Sequence, residues 1–132
     1  MKVSVVIPAK NEGTSLPALL EGLKVLNQVV EIIVVNDGST DDTSEICRRL
    51  GVVEVKHPYS KGNGAAIKSG ARAASNEFIV FMDADGQHRP EDIPALLDKM
   101  SEGYDMVVGA RHSSSQASMA RLMANGFYNK LS

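Results

Sequence analysis

The sequence predicts an α/β fold, three layers deep, with a mostly parallel sheet between helices. Two observations point there. Short β-branched apolar runs of strand length alternate with longer helical segments along the whole chain. Each run is also nearly continuous in its hydrophobicity rather than alternating with polar residues, the mark of strands covered on both faces.

The elements follow in order. Val3 to Ile7 is the first strand. Ser15 caps a helix whose Leu16, Leu19, Leu20, Leu23 and Leu26 share one face, with Pro17 tolerated in the first turn. Glu31 to Val35 is a second strand. Thr40 to Asp42 supply caps and negative charge for a helix that runs through Leu50 and stops at Gly51. Val52 to Lys56 is a third strand, Lys61 to Ala74 a helix rich in small residues, and Phe78 to Met82 a fourth strand, central by its hydrophobicity. Pro90 opens a helix from Glu91 to Met100, Asp105 to Gly109 is a fifth strand, and Gln116 to Leu131 is a last helix.

With 132 residues, 43% of them hydrophobic, the chain suits a single domain over residues 1–132. A net charge of -2 with interspersed signs argues against a nucleic-acid binder working through a basic face. Cys47 is the only cysteine, so a disulfide framework or a cysteine zinc site within the chain is ruled out, and a reducing, cytoplasmic setting is expected. No stretch reaches the ~18 consecutive apolar residues of a membrane span. The run from Met1 to Pro8 is too brief for a signal-peptide core. The last residues, Phe127 to Ser132, break off within a helical pattern, so the chain is expected to be one piece of a longer protein.

In open parallel sheets ligands bind beyond the carboxyl ends of the strands. Four such ends carry polar loops here: Pro8 to Gly13, Asn36 to Thr40, His57 to Gly64 and Asp83 to His88. Asp83 and Asp85, two residues apart after an apolar strand, repel each other unless a cation lies between them or one is protonated. Oxygen ligands select hard ions such as Mg²⁺ or Mn²⁺. The alternative is that both aspartates shape a turn. Asp37 offers a carboxylate acceptor that matches the ring N–H of uracil or guanine, or else it caps the next helix. Lys61 to Gly64 offers a cation and backbone N–H groups for a phosphate at a helix start, or else glycines for close packing. His57, before a proline, is read as an ordinary loop residue, and His88 lacks partner histidines.

Taken in order and spacing, Val6 to Glu12, Val35 to Thr43, Lys61 to Ala65 and Asp83 to His88 resemble the family-two inverting glycosyltransferases of GT-A fold. Within that family the likeness is to the dolichol-phosphate and polyprenol-phosphate mannosyltransferases. The resemblance implies that Pro8, Ala9, Asn11 and Glu12 line a nucleotide-sugar pocket, that Asp37 reads the base and that Lys61 lies near the nucleotide. It implies that Asp83, Ala84 and Asp85 contact ribose, diphosphate and a Mg²⁺ or Mn²⁺ ion. Gln87 is then a third metal ligand beside Asp83 and Asp85, and Arg111 lies near phosphate groups. The implied reaction moves a hexose from a UDP- or GDP-sugar to a polyprenol phosphate, with peripheral membrane contact. Transfer to a saccharide or other cell-envelope acceptor, or a catalytically incomplete nucleotide-sugar-binding module, are the alternatives. No residue stands out as a catalytic base.

Overall fold

The computed structural model describes residues 2–76, 78–85, 89–91, 93–94 and 97–98. Within them the order is β1 (Val3–Ala9), α1 (Leu16–Lys24), β2 (Val29–Asp37), α2 (Thr43–Leu50), β3 (Val53–His57), α3 (Asn63–Ala73) and β4 (Ile79–Phe81). The fifth strand and final helix expected from Asp105 to Leu131 lie outside the described residues, as does much of the helix expected from Glu91 to Met100.

All strand pairs are parallel, in the order β3-β2-β1-β4. The chain therefore builds outward from β1 through β2 to β3, then crosses back so that β4 pairs with the other side of β1. That reversal makes the crevice between the carboxyl ends of β1 and β4 the topological switch point, where this class of sheet binds ligands.

The two faces of the sheet are covered by different helices. Val3, Val5 and Ile7 cluster with Leu16, Leu20 and Leu23 of α1 and Ile46 of α2. Val6, Ile33 and Val35 cluster with Ala66, Ile67 and Ala71 of α3. Strand residues alternate faces, so a strand buried on both sides reads as an unbroken apolar run. Gly70 allows α3 to lie close to the sheet, since a Cβ there would collide with Val6 Cγ1 and come within 3.0 Å of Val35 Cγ2.

The predicted fold class holds, while several boundaries move. β1 and β2 run to Ala9 and Asp37, farther than the apolar runs suggest, because ladder pairing continues through Ala9↔Asn36. α1 ends at Lys24, so Leu26 leaves the helix and packs against the core from the following turn. Gly51 ends α2 in the left-handed conformation at φ 71°, as a C-terminal glycine is expected to. Ser15 precedes α1, yet its hydroxyl makes no capping bond to the helix.

Candidate functional site

The loop after β1 turns at Asn11, whose φ of 55° is in the left-handed region that asparagine tolerates. Its backbone N–H donates to Ser39 Oγ at 3.0 Å, and its Oδ1 accepts from the Thr40 N–H at 2.8 Å. Gly13 N–H donates to Asp41 Oδ2 at 2.9 Å. These bonds clip the β1–α1 loop to the β2–α2 loop. Asp41 also accepts from the Thr43 hydroxyl and N–H, and with the Thr43 hydroxyl as the main cause its carboxyl lies below the usual carboxylate range.

At the end of β2, Asn36 is buried and spends its whole amide locally. Its Nδ2 donates to Glu54 Oε2 at 2.9 Å and Ser44 Oγ at 3.1 Å, while its Oδ1 accepts from Ser39 N–H at 2.9 Å. Asp37, also buried, collects four donors. Oδ1 takes the His57 imidazole at 2.7 Å and Lys61 N–H at 2.8 Å; Oδ2 takes Ser60 Oγ at 3.1 Å and Gly62 N–H at 3.0 Å. Burial pushes this carboxyl up, but the bonds from Lys61, His57, Gly62 and Ser60 outweigh it and hold Asp37 down at about 2. Gly38, at φ 74°, lies under the backbone of Tyr59 and Ser60, where a side chain would not fit.

After β4, Met82 N–H still bonds Val6 O at 3.0 Å, and the chain then leaves the sheet through Asp83, Ala84 and Asp85. Ser15 Oγ donates to the Ala84 carbonyl, tying this loop to the start of α1.

These segments enclose an open cleft of about 330 Å³ at the switch point. Pro8 and Ala9 at the end of β1 and Lys10 and Glu12 in the loop after it wall one side, and Asp37 at the end of β2 joins them. Ser60 and Gly62 come from the β3–α3 connection, Asn63 and Ala66 from α3, and Asp83, Ala84 and Asp85 from the segment after β4. Of the residues singled out in the sequence, Pro8, Ala9, Glu12, Asp37, Asp83, Ala84 and Asp85 thus meet in one place. Asn11 and Lys61 are not in the wall. Asn11 is used between loops, and Lys61 gives its N–H to Asp37 while its ammonium lies 5.4 Å from the Tyr59 ring centroid. Gln87, His88 and Arg111 lie outside the described residues.

Lys10, Ser60, Gly62, Asn63 and Ala66 were not assigned to the site individually, although the Lys61 to Gly64 segment marked the right connection. His57 is no ordinary loop residue. It closes β3, is 6% exposed, and bonds through both ring nitrogens.

Among the described residues no group of three His, Cys, Asp or Glu side chains gathers as a cage for a metal. The donor set nonetheless fits a small hard cation. Mg²⁺ keeps several waters and is held by one or two carboxylates plus substrate phosphates, which is what Asp83 and Asp85 beside an open cleft provide.

Comparison with known proteins gives a consistent result. The family model described as glycosyl transferase family 2 matches residues 4–130. The chain is 39% identical over 140 residues to the undecaprenyl-phosphate 4-deoxy-4-formamido-L-arabinose transferase of Proteus mirabilis, covering 98% of this chain and 43% of that protein. Its counterpart in Aeromonas hydrophila is 39% identical over 138 residues, covering 97% and 42%. The chain therefore spans less than half the length of these relatives. The crystal structure of glucosyl-3-phosphoglycerate synthase from Mycobacterium tuberculosis with UDP aligns at a TM-score of 0.68 and 29% identity, covering 77% of this chain and 40% of that one. The same enzyme with Mn²⁺, UDP and glucosyl-3-phosphoglycerate aligns at 0.65 and 28%, covering 75% and 39%.

Proposed function

Since the chain belongs to glycosyl transferase family 2 and has the GT-A fold, we propose that it is the donor-binding part of a glycosyltransferase that moves a sugar from a UDP-sugar to a polyprenol phosphate with inversion. The observation that carries this reading is the cleft at the β1–β4 switch point, where Asp83 and Asp85 share a wall with Glu12, Asp37 and the first turn of α3.

Each side of the cleft has a task. Pro8 and Ala9 form the strand-end surface on which a nucleotide lies. Asp83 and Asp85 would hold a divalent cation beside the diphosphate. An ion bound there would supply charge neutralisation for the departing nucleoside diphosphate. The start of α3 adds a favourable dipole for an anionic ligand. Asp37 sits at the base end. Its four acceptor positions are filled, so a base N–H gains access by replacing the Ser60 hydroxyl, the longest of the four bonds and the one from an exposed, rotatable side chain. Gln87 and Arg111 keep the metal and phosphate roles that the resemblance implies.

A uridine donor is favoured over a guanosine donor by the UDP complexes of the similar synthase. The polyprenol-phosphate acceptor is favoured by the names of the arabinose transferases. A phosphate acceptor is already an anion, which removes the need for a strong general base. No helix among the described residues is long and apolar enough to cross a membrane. We take the contact of this part of the protein with the lipid acceptor to be peripheral, at the cytoplasmic face.

Calorimetric titration with UDP, GDP, CDP and ADP tests the donor side, with tightest binding expected for UDP. Preferential binding of ADP overturns the role of Asp37. Incubation with UDP-glucose, GDP-mannose or the uridine-diphosphate form of 4-deoxy-4-formamido-L-arabinose, together with a short polyprenol phosphate, tests transfer and identifies the sugar. Binding without transfer in every combination identifies a donor-binding module that needs the rest of a longer protein.

A further inference from the structure

Asp37 and His57 are register partners in the β2–β3 ladder. Their side chains leave the sheet on the face covered by α3, since Ile33 and Val35, at the same parity in β2, pack against that helix. His57 lies between two side chains. Nδ1 is 2.7 Å from Asp37 Oδ1 and Nε2 is 2.8 Å from Ser69 Oγ on α3. An ionised carboxylate only accepts, so Nδ1 carries the proton, and in the neutral ring Nε2 accepts from the Ser69 hydroxyl. The proton on Nδ1 is common to both charge states of the ring, and with the ring neutral the relay runs from Ser69 to His57 to Asp37.

Helix α3 reaches this position because Gly70 lets it settle against Val6 and Val35. At the other end of the relay, Asp37 gathers Ser60, Lys61 and Gly62. Two of those three, Ser60 and Gly62, wall the cleft. His57 itself is not among the lining residues. Its hydrogen bond to the cleft wall is the one to Asp37.

We propose that His57 is a positioning residue for the nucleotide cleft: braced by Ser69, it fixes the Asp37 carboxylate so that the β3–α3 connection holds its place in the wall. This rests on the nucleotide-sugar reading above. Ser60, Lys61 and Gly62 hold the carboxylate from the β3–α3 connection, whereas His57, between Asp37 and Ser69 of α3, braces it from the strand beside it. That second anchor is in place before a base arrives, and pre-organised contacts bind more tightly than contacts that must first be ordered.

Two substitutions of similar size separate positioning from simple filling. In His57→Asn the amide nitrogen sits where Nδ1 sits and can still donate to Asp37. In His57→Gln the amide lies farther out, toward Ser69. Titration of the full chain with UDP and Mn²⁺ should find the Asn variant within about threefold of wild type and the Gln variant about tenfold weaker. Equal binding by the two variants overturns the proposal. Nitrogen-15 spectra of the wild-type imidazole provide the readout that does not depend on variants folding. A proton on Nδ1 whose resonance moves in Asp37→Asn supports the relay, and a proton on Nε2 alone overturns it. Wild type that binds none of the nucleotides sinks the functional reading itself, whereas wild type that binds UDP and a Gln variant that binds equally well sinks only the role of His57.

Discussion

The hydroxyl of Ser15 donates to the carbonyl oxygen of Ala84, joining the start of α1 to the carboxylate loop across 69 residues of sequence. The bond holds the residue between Asp83 and Asp85, the two cleft-lining carboxylates proposed to hold the cation. Ser15→Ala should cost about 1 kcal/mol of stability, the usual net worth of a partly buried hydrogen bond. It should weaken UDP binding more in the presence of Mn²⁺ than in its absence. Urea unfolding and paired titrations check the two parts separately.

Acid should unfold the protein partly through Asp37. Its folded value of about 2 lies below its ordinary 3.8. The contribution is therefore complete above 3.8 and is lost as pH falls through about 2. For this buried group it is on the order of 2 kcal/mol. Asp41, also held low, acts in the same direction. Stability followed by urea unfolding at a series of acidic pH values should fall steeply in that window for wild type and more gently for Asp37→Asn.

Gly70→Ala should destabilise the protein by about 1–3 kcal/mol, as overpacking of a close interface does. The added methyl meets Val6 and Val35, both wholly buried, so neither side chain has room to give way. Thermal and urea unfolding measure the loss. Weaker nucleotide binding should accompany it, because displacing α3 also displaces Ser69 and the wall residues Asn63 and Ala66.

Cys47 should be inert in the folded state. The side chain is 1% exposed, and burial, with Glu54 adding a smaller push, raises its thiol to about 11. Alkylation by iodoacetamide at neutral pH should proceed only under denaturing conditions. Ready labelling of the native protein contradicts the packing of α2 against the sheet.

Much of this was legible in the residues. Nearly continuous apolar runs such as Val3 to Ile7, interrupted by Ser4 alone, and Ile79 to Phe81 announce strands covered on both faces, and the rule that ligands meet strand ends leads directly to Asp37, Asp83 and Asp85. What escaped depends on pairings that no local pattern encodes. The register that sets Asp37 beside His57 is a property of two strands together, so His57 looked like a residue before a proline. Ser15 looked like a helix cap, yet its hydroxyl serves a loop far along the chain. Asn11 sits in the right motif, but its left-handed backbone sends its amide to Thr40 rather than into the cleft. The apolar run of β2 ended before the strand did, since Asn36 and Asp37 are buried polar residues whose partners come from other elements.

The central claim is that Asp83 and Asp85 hold a cation and, with it, a nucleoside diphosphate. Calorimetric titration of UDP into wild type and Asp85→Ala, each with Mn²⁺ and with a chelator, tests it most directly. Wild type should bind UDP with Mn²⁺ and lose at least about tenfold in affinity with the chelator, while Asp85→Ala should bind weakly in both and respond little to the metal. Equal binding by wild type with and without metal, or an Asp85→Ala variant that keeps the full Mn²⁺ effect, would contradict it.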